Sequence, residues 1–131
     1  MKTIGDIMST TLFSTTPETS AFDAVEEMYK NKIGALFVKE SSNFLGIFTK
    51  TDWMHLFLQG DCDPHKIKVT EVMSSPLITI DKNDPLPNAS SLIEEKKIRH
   101  IAVTDNGKIV GMLSVKDLQT YYLQLHEKTD F

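Results

Sequence analysis

The chain has 131 residues, 40% of them apolar and 24% charged, and carries a net charge of −4. That length suits one compact domain or two small halves sharing a core. The mild acidity speaks against a general nucleic-acid binder, which shows a basic face, and no apolar run approaches the roughly 18 residues of a membrane span.

In chain order, LFSTTP (12–17) is rich in β-branched residues and reads as a short strand. A helix follows, with Ser20 and Asp23 placed as a capping box and Phe22, Val25 and Met28/Tyr29 on one face. GALFV (34–38) is a buried strand, ESSN (40–43) a turn and FLGIF (44–48) a second strand. A helix carrying WMHLFL begins near Thr49. The stretch from Gln59 to Lys68 breaks every periodicity and serves as a linker. The same order then returns. LITIDK is a strand, Asp84-Pro85 starts a helix with Leu86, Ala89, Leu92 and Ile93 inward, and RHIAV is a buried strand. TDNGK holds the hairpin signal Asn106-Gly107, IVGML is a strand, and a helix with LQTYYLQL begins near Ser114.

Laying Met8-Ser9 over Met73-Ser74, a shift of 65, keeps an ungapped register from Ile4 to Leu56. Leu12, Ala24, Lys32, Ile33 and Val38 then fall on Leu77, Ala89, Lys97, Ile98 and Val103, and Gly46 and Asp52 on Gly111 and Asp117. The chain is a duplication of a β-α-β-β-α unit. Its repeats span 1–60 and 67–131, with 61–66 between them, and the expected fold class is α+β.

Each repeat closes a strand with glycine, two apolar residues, a hydroxyl and, three positions on, an aspartate: GIFTKTD and GMLSVKD. Thr49 with Asp52, and Ser114 with Asp117, have the spacing of a helix-capping box. They also open a helix after a strand, where free N–H groups attract anions and ligands commonly sit. There a hydroxyl can donate to a phosphate and a carboxylate can accept from a ribose diol, while Ile47 and Met112 offer apolar neighbours for an adenine. Both readings stand on the sequence.

From about residue 3 to 125 the chain resembles a pair of CBS domains, the module named after cystathionine β-synthase. The likeness rests on the repeated IMST/VMSS entry, the IGALFV/IRHIAV strand and the G-h-h-[TS]-x-x-D close. It implies two repeats packed with pseudo-twofold symmetry (a Bateman module) and clefts between them. Adenosine compounds, namely AMP, ADP, ATP or S-adenosylmethionine, would bind there as regulators, with no cofactor required. The family's ribose-binding aspartate matches Asp52 and Asp117, and its phosphate-side hydroxyl matches Thr49 and Ser114. Its adenine-holding positions correspond to Leu12, Phe13, Ala35 and Leu36, and to Leu77, Ile78, His100 and Ile101. A basic residue entering the middle strand commonly reaches phosphate in this family. Arg99-His100 supply it in repeat two, where repeat one has Gly34-Ala35, so the clefts are expected to be unequal. The resemblance also implies a homodimer joined through the final helices, whose Trp53, Leu56, Phe57 and Leu58, and Leu118, Tyr121, Tyr122 and Leu125, exceed what one pair of repeats needs to bury.

Other constellations carry less. Asp61, Cys62, Asp63 and His65 lie in the linker without a metal-ligand spacing, and the methionines fit core filling. Cys62 is the only cysteine, which allows no internal disulfide and fits a reducing, cytoplasmic setting. The opening MKTIGDIMSTT has no apolar core of a secretory leader. No nucleophile elbow or P-loop is present, so the expectation is a ligand-sensing module, not an enzyme. It would signal to an unidentified protein target, without nucleic acid or membrane. The alternative is a ligand-free interaction scaffold whose T/S-x-x-D pairs only cap helices.

Overall fold

A computed structural model describes residues 2–129. In chain order it contains α1 (Ile4–Ile7), β1 (Ser14–Thr15), α2 (Ala21–Asn31), β2 (Ala35–Glu40), β3 (Asn43–Thr49) and α3 (Lys50–Leu58). The second half holds α4 (Val69–Val72), β4 (Thr79–Asp81), α5 (Leu86–Lys96), β5 (His100–Asp105), β6 (Lys108–Ser114) and α6 (Val115–Thr129). The β-α-β-β-α unit thus appears twice, each copy preceded by a one-turn helix that is too short for periodicity to reveal. The first strand of each unit is shorter than its β-branched run suggests, two residues in β1 and three in β4.

The sheets are copies in register as well as order. β1 pairs parallel to β2 and β4 to β5, while β2–β3 and β5–β6 are antiparallel. Both hairpins carry a register shift, at Val38/Lys39 and at Val103/Thr104. The β5–β6 turn uses Asn106 and Gly107 with φ of 52° and 79°, the left-handed pair that a two-residue hairpin requires. Both α2 and α5 end in a left-handed lysine, Lys32 (φ 56°) and Lys97 (φ 55°), whose N–H returns to the last turn. Ser20 caps α2 by accepting from the Asp23 N–H at 3.0 Å.

The compact units are not consecutive stretches of sequence. One comprises Phe13–Leu77, and the other joins the residues up to Leu12 to those from Ile78 onward. In the first, Leu36, Val38 and Phe48 of the sheet meet Ala24 and Met28 of α2, Leu56 of α3 and Val69 of α4. In the second, Ile101, Val103 and Leu113 meet Leu86 and Ala89 of α5, Leu118 of α6 and Ile4 of α1. Each entry segment therefore completes the other repeat's core.

The repeated methionine-serine and the repeated glycine explain one another. Ser9 exchanges backbone hydrogen bonds with Met112, and Ser74 with Ile47, so each entry segment lies across a β-strand beside its glycine. A Cβ on Gly46 would stand 2.6 Å from the Ser74 carbonyl oxygen and 2.7 Å from Met73 Sδ. On Gly111 it would stand 2.5 Å from Met8 Sδ and 2.8 Å from the Ser9 carbonyl oxygen. Only a residue without a side chain lets the crossing segment so close.

Candidate functional site: two hydroxyl–carboxylate pairs at helix starts

The strand that carries each glycine runs directly into a helix. Thr49 ends β3 and caps α3, and Ser114 ends β6 ahead of α6. Thr49 Oγ1 accepts from the Asp52 N–H at 3.2 Å, and Asp52 Oδ2 accepts from the Thr49 N–H at 2.9 Å and from its hydroxyl at 3.1 Å. In the second unit, Ser114 Oγ accepts from the Asp117 N–H at 3.0 Å and Asp117 Oδ2 accepts from the Ser114 N–H at 2.9 Å. All four residues are half-buried. The capping-box geometry is realised at both places, and both carboxylates stand beside helix N–H groups that favour negative charge.

The pairs differ at the second carboxylate oxygen. Asp52 Oδ1 accepts from the Ser74 hydroxyl at 2.8 Å. Asp117 Oδ1 has no equivalent donor among the described residues, although Ser9 holds the matching backbone position. Sequence reasoning did not single out Ser74 or Ser9 as site residues; the signal was the repeated serine that shares the phase of the repeated glycine.

Arg99 lies beside the second pair. Its carbonyl oxygen accepts from the N–H of Val115, the first residue of α6, at 3.0 Å, and His100 is the register partner of Ser114. Gly34 plays the same main-chain part for Lys50 at 3.2 Å. The Arg99 side chain is exposed and forms no ion pair among the described residues. Ile47 and Met112, both half-buried, are the residues bridged by Ser74 and Ser9.

The expected adenine-holding positions fall into three groups. Leu36 and Ile101 are fully buried in the apolar cores, so only their main chain is left to meet a ligand. Ala35 and His100 are the register partners of Thr49 and Ser114, which brings them level with the hydroxyls. Leu12, Phe13, Leu77 and Ile78 are half-buried. The Phe13 carbonyl accepts from the Phe37 N–H and the Ile78 carbonyl from the Ala102 N–H, tying both to the middle strands at 3.0 Å.

Of the apolar residues expected on the surface of the last helices, Leu56 and Leu118 are instead buried in the cores, because each faces its own sheet. Phe57, Leu58, Tyr122 and Leu125 are exposed, joined by Tyr29, Met54 and Leu123. A groove of about 520 Å³ runs between α2 and α3, floored by Val25, Met28 and Ile33 and flanked by Tyr29 and Trp53. In the linker, Cys62 Sγ donates to the Leu56 carbonyl at 3.3 Å and His65 stacks on Phe22 at 4.1 Å. Among the described residues no three metal-ligating side chains converge, and no helix is long and apolar enough to cross a membrane.

The fold and the doubled site define a tandem α+β module with one hydroxyl–carboxylate pair per repeat. The family model for the CBS domain matches residues 4–59 and again 69–124, and the chain belongs to that family. Among curated proteins it is 28% identical over 118 residues to the CBS domain-containing protein YhcV of Bacillus subtilis, covering 90% of this chain and 84% of that one. It is 25% identical to the Methanopyrus kandleri protein MK0525, covering 88% of this chain and 60% of that one, so the chain spans less than two thirds of that relative. Among solved structures, the CBS domain protein NE2398 superposes with a TM-score of 0.88 at 30% identity, covering 94% of this chain and 99% of that one. The CBS domain pair of MJ0100, solved in complex with 5′-methylthioadenosine and S-adenosyl-L-methionine, superposes with a TM-score of 0.84 at 20% identity, covering 95% and 98%. At that identity the likeness to MJ0100 is one of fold.

Proposed function

We propose that the chain is a regulatory sensor of adenosine compounds, AMP, ADP, ATP or S-adenosylmethionine, and not a catalyst. The observation that carries this is the doubling of a carboxylate and a hydroxyl at a helix start that follows a strand. A ribose diol donates to carboxylate oxygens, and phosphate or carboxylate accepts from hydroxyls and helix N–H groups. Asp52 and Asp117 hold the diol in this reading, Thr49 and Ser114 the anion, and Arg99 adds charge at the second pair. For the base, Ile47, Phe13, Ala35, Leu36 and Leu77 are the candidates in one unit, and Met112, Leu12, Ile78, His100 and Ile101 those in the other. The MJ0100 pair, solved with two adenosine-containing ligands, gives support at the level of the fold. Ligand uptake then shifts the chain between two states by its differential affinity for them, and a protein target in the cytoplasm reads the shift.

Two copies of the chain form the sensor in the same proposal, joined through the exposed faces of α3 and α6, where Phe57, Leu58, Tyr122 and Leu123 lie open. Apolar patches of this kind mark interfaces, and a self-complementary pairing closes them.

A scaffold reading has its own support, since both capping boxes are satisfied without a ligand. Titration by calorimetry and thermal shift with AMP, ADP, ATP and S-adenosylmethionine separates the two. A sensor gains about 2.7 kcal/mol of stability at a ligand concentration one hundred times its Kd. No heat and no shift with any of the four leaves the scaffold.

A further inference from the structure

The two carboxylates have the same phase in the sequence, the same place at a helix start and the same box geometry. They are not equally occupied. Asp52 accepts three hydrogen bonds besides its own helix contacts, from the Thr49 N–H and hydroxyl on Oδ2 and from the Ser74 hydroxyl on Oδ1. Asp117 accepts one, from the Ser114 N–H on Oδ2. A diol needs carboxylate lone pairs that point to solvent, and each oxygen has a limited number of them. Ser74 is exposed, and its hydroxyl reaches Asp52 from a segment held in place by backbone hydrogen bonds to Ile47 on both sides of the pairing. The pairing holds the Ser74 main chain on β3, and from there its hydroxyl reaches the carboxylate.

We propose that Ser74 is a built-in competitor for Asp52, so that a diol-bearing ligand fills the Asp117 site first and reaches Asp52 only by displacing the Ser74 hydroxyl. This rests on the nucleotide reading of the same site and adds its regulation: one high-affinity position and one that responds at higher concentration. Ser9, the equivalent residue, plays no such part at Asp117, since its described hydrogen bonds are those of its main chain to Met112. At the second carboxylate oxygen the difference is set by one hydroxyl group. It makes Ser74→Ala a gain-of-binding substitution, which neither a contact to ligand nor a purely structural role would produce.

The test uses the full chain and adenosine as the probe, which has the diol and no phosphate. Asp117→Ala isolates the Asp52 position, and Asp52→Ala isolates Asp117. In the Asp117→Ala chain, adding Ser74→Ala tightens adenosine binding about tenfold by calorimetry, which is 1.4 kcal/mol. In the Asp52→Ala chain, adding Ser9→Ala leaves it within twofold. Unchanged or weaker binding after Ser74→Ala, or an equal gain from Ser9→Ala, overturns the competitor. Denaturant midpoints without ligand give a second readout: Ser74→Ala lowers the midpoint and Ser9→Ala does not. Equal midpoints show that the Ser74–Asp52 bond does not hold in solution, which sinks the inference even where ligand binds. Failure of the wild-type chain to take up adenosine, AMP or S-adenosylmethionine, with the midpoints unequal as stated, instead removes the nucleotide reading.

Discussion

Replacing each carboxylate by alanine turns the inequality of the two sites into a stability difference. Asp52→Ala removes the acceptor for the Thr49 N–H at 2.9 Å, the Thr49 hydroxyl at 3.1 Å and the Ser74 hydroxyl at 2.8 Å. Loss of the cap costs about 1 kcal/mol. The Ser74 bond is solvent-exposed, so the roughly 1.5–3 kcal/mol typical for a hydrogen bond to a charged group is discounted for screening to about 1 kcal/mol. The total is about 2 kcal/mol. Asp117→Ala removes only the acceptor for the Ser114 N–H at 2.9 Å, a cost of about 1 kcal/mol. For a chain of this size about 1 kcal/mol corresponds to roughly 3–4 °C in Tm, giving losses of about 7 °C and about 4 °C. Urea titrations followed by circular dichroism, with unchanged m-values, provide the free energies directly. If Asp117→Ala costs as much as Asp52→Ala or more, counting accepted hydrogen bonds does not describe these sites.

Other outcomes follow from the same geometry. Gly46→Ala and Gly111→Ala each place a Cβ within 2.8 Å of a crossing main-chain carbonyl, so each lowers stability by about 1–3 kcal/mol; an unchanged urea midpoint would show that the entry segments do not lie on these strands. Arg99→Ala weakens AMP and ATP binding more than tenfold and leaves adenosine nearly unchanged, because a charge-assisted bond to phosphate is lost and nothing else; a parallel loss for adenosine, measured by calorimetry, would make Arg99 a support of the fold. Light scattering at tens of micromolar protein gives about twice the 14.8 kDa of one chain, and Leu58→Asp together with Leu123→Asp returns it to one chain; a single-chain mass for the unaltered protein would refute the dimer.

Periodicity and turn chemistry were enough to read the order of elements. Asn106-Gly107 announced the β5–β6 turn, and Ser20 and Asp23 the start of α2. The boxes at Thr49 and Ser114 also lie where the spacing places them. What sequence did not reveal has a common physical cause: it depends on contacts between residues far apart in the chain. α1 and α4 have four residues each and exist by packing on distant partners, Ile4 on the second core and Val69 on the first. Leu56 and Leu118 read as surface because an aromatic-rich helix gives several choices of inward face, and only the sheet selects one. The resemblance put both Ala35 and Leu36 among the ligand candidates; both are buried, and the strand register is what sets Ala35 level with Thr49 while Leu36 joins the core.

The exchange of entry segments has a consequence for how the duplication is read. If each repeat were closed on itself, a difference between the two sites would be found by comparing GIFTKTD with GMLSVKD. Instead, the serine beside Asp52 is Ser74 and the serine beside the second strand is Ser9, each contributed by the other repeat's sequence. The glycine that admits the crossing, the strand that receives it and the carboxylate it approaches belong to one repeat, while the hydroxyl belongs to the other. Divergence in the second copy's entry segment therefore reaches the first copy's carboxylate. Residues 73–74 bear on Asp52 through the Ser74 hydroxyl, while residues 8–9 lie on the strand that leads to Ser114 and, among the described residues, leave the Asp117 carboxylate untouched.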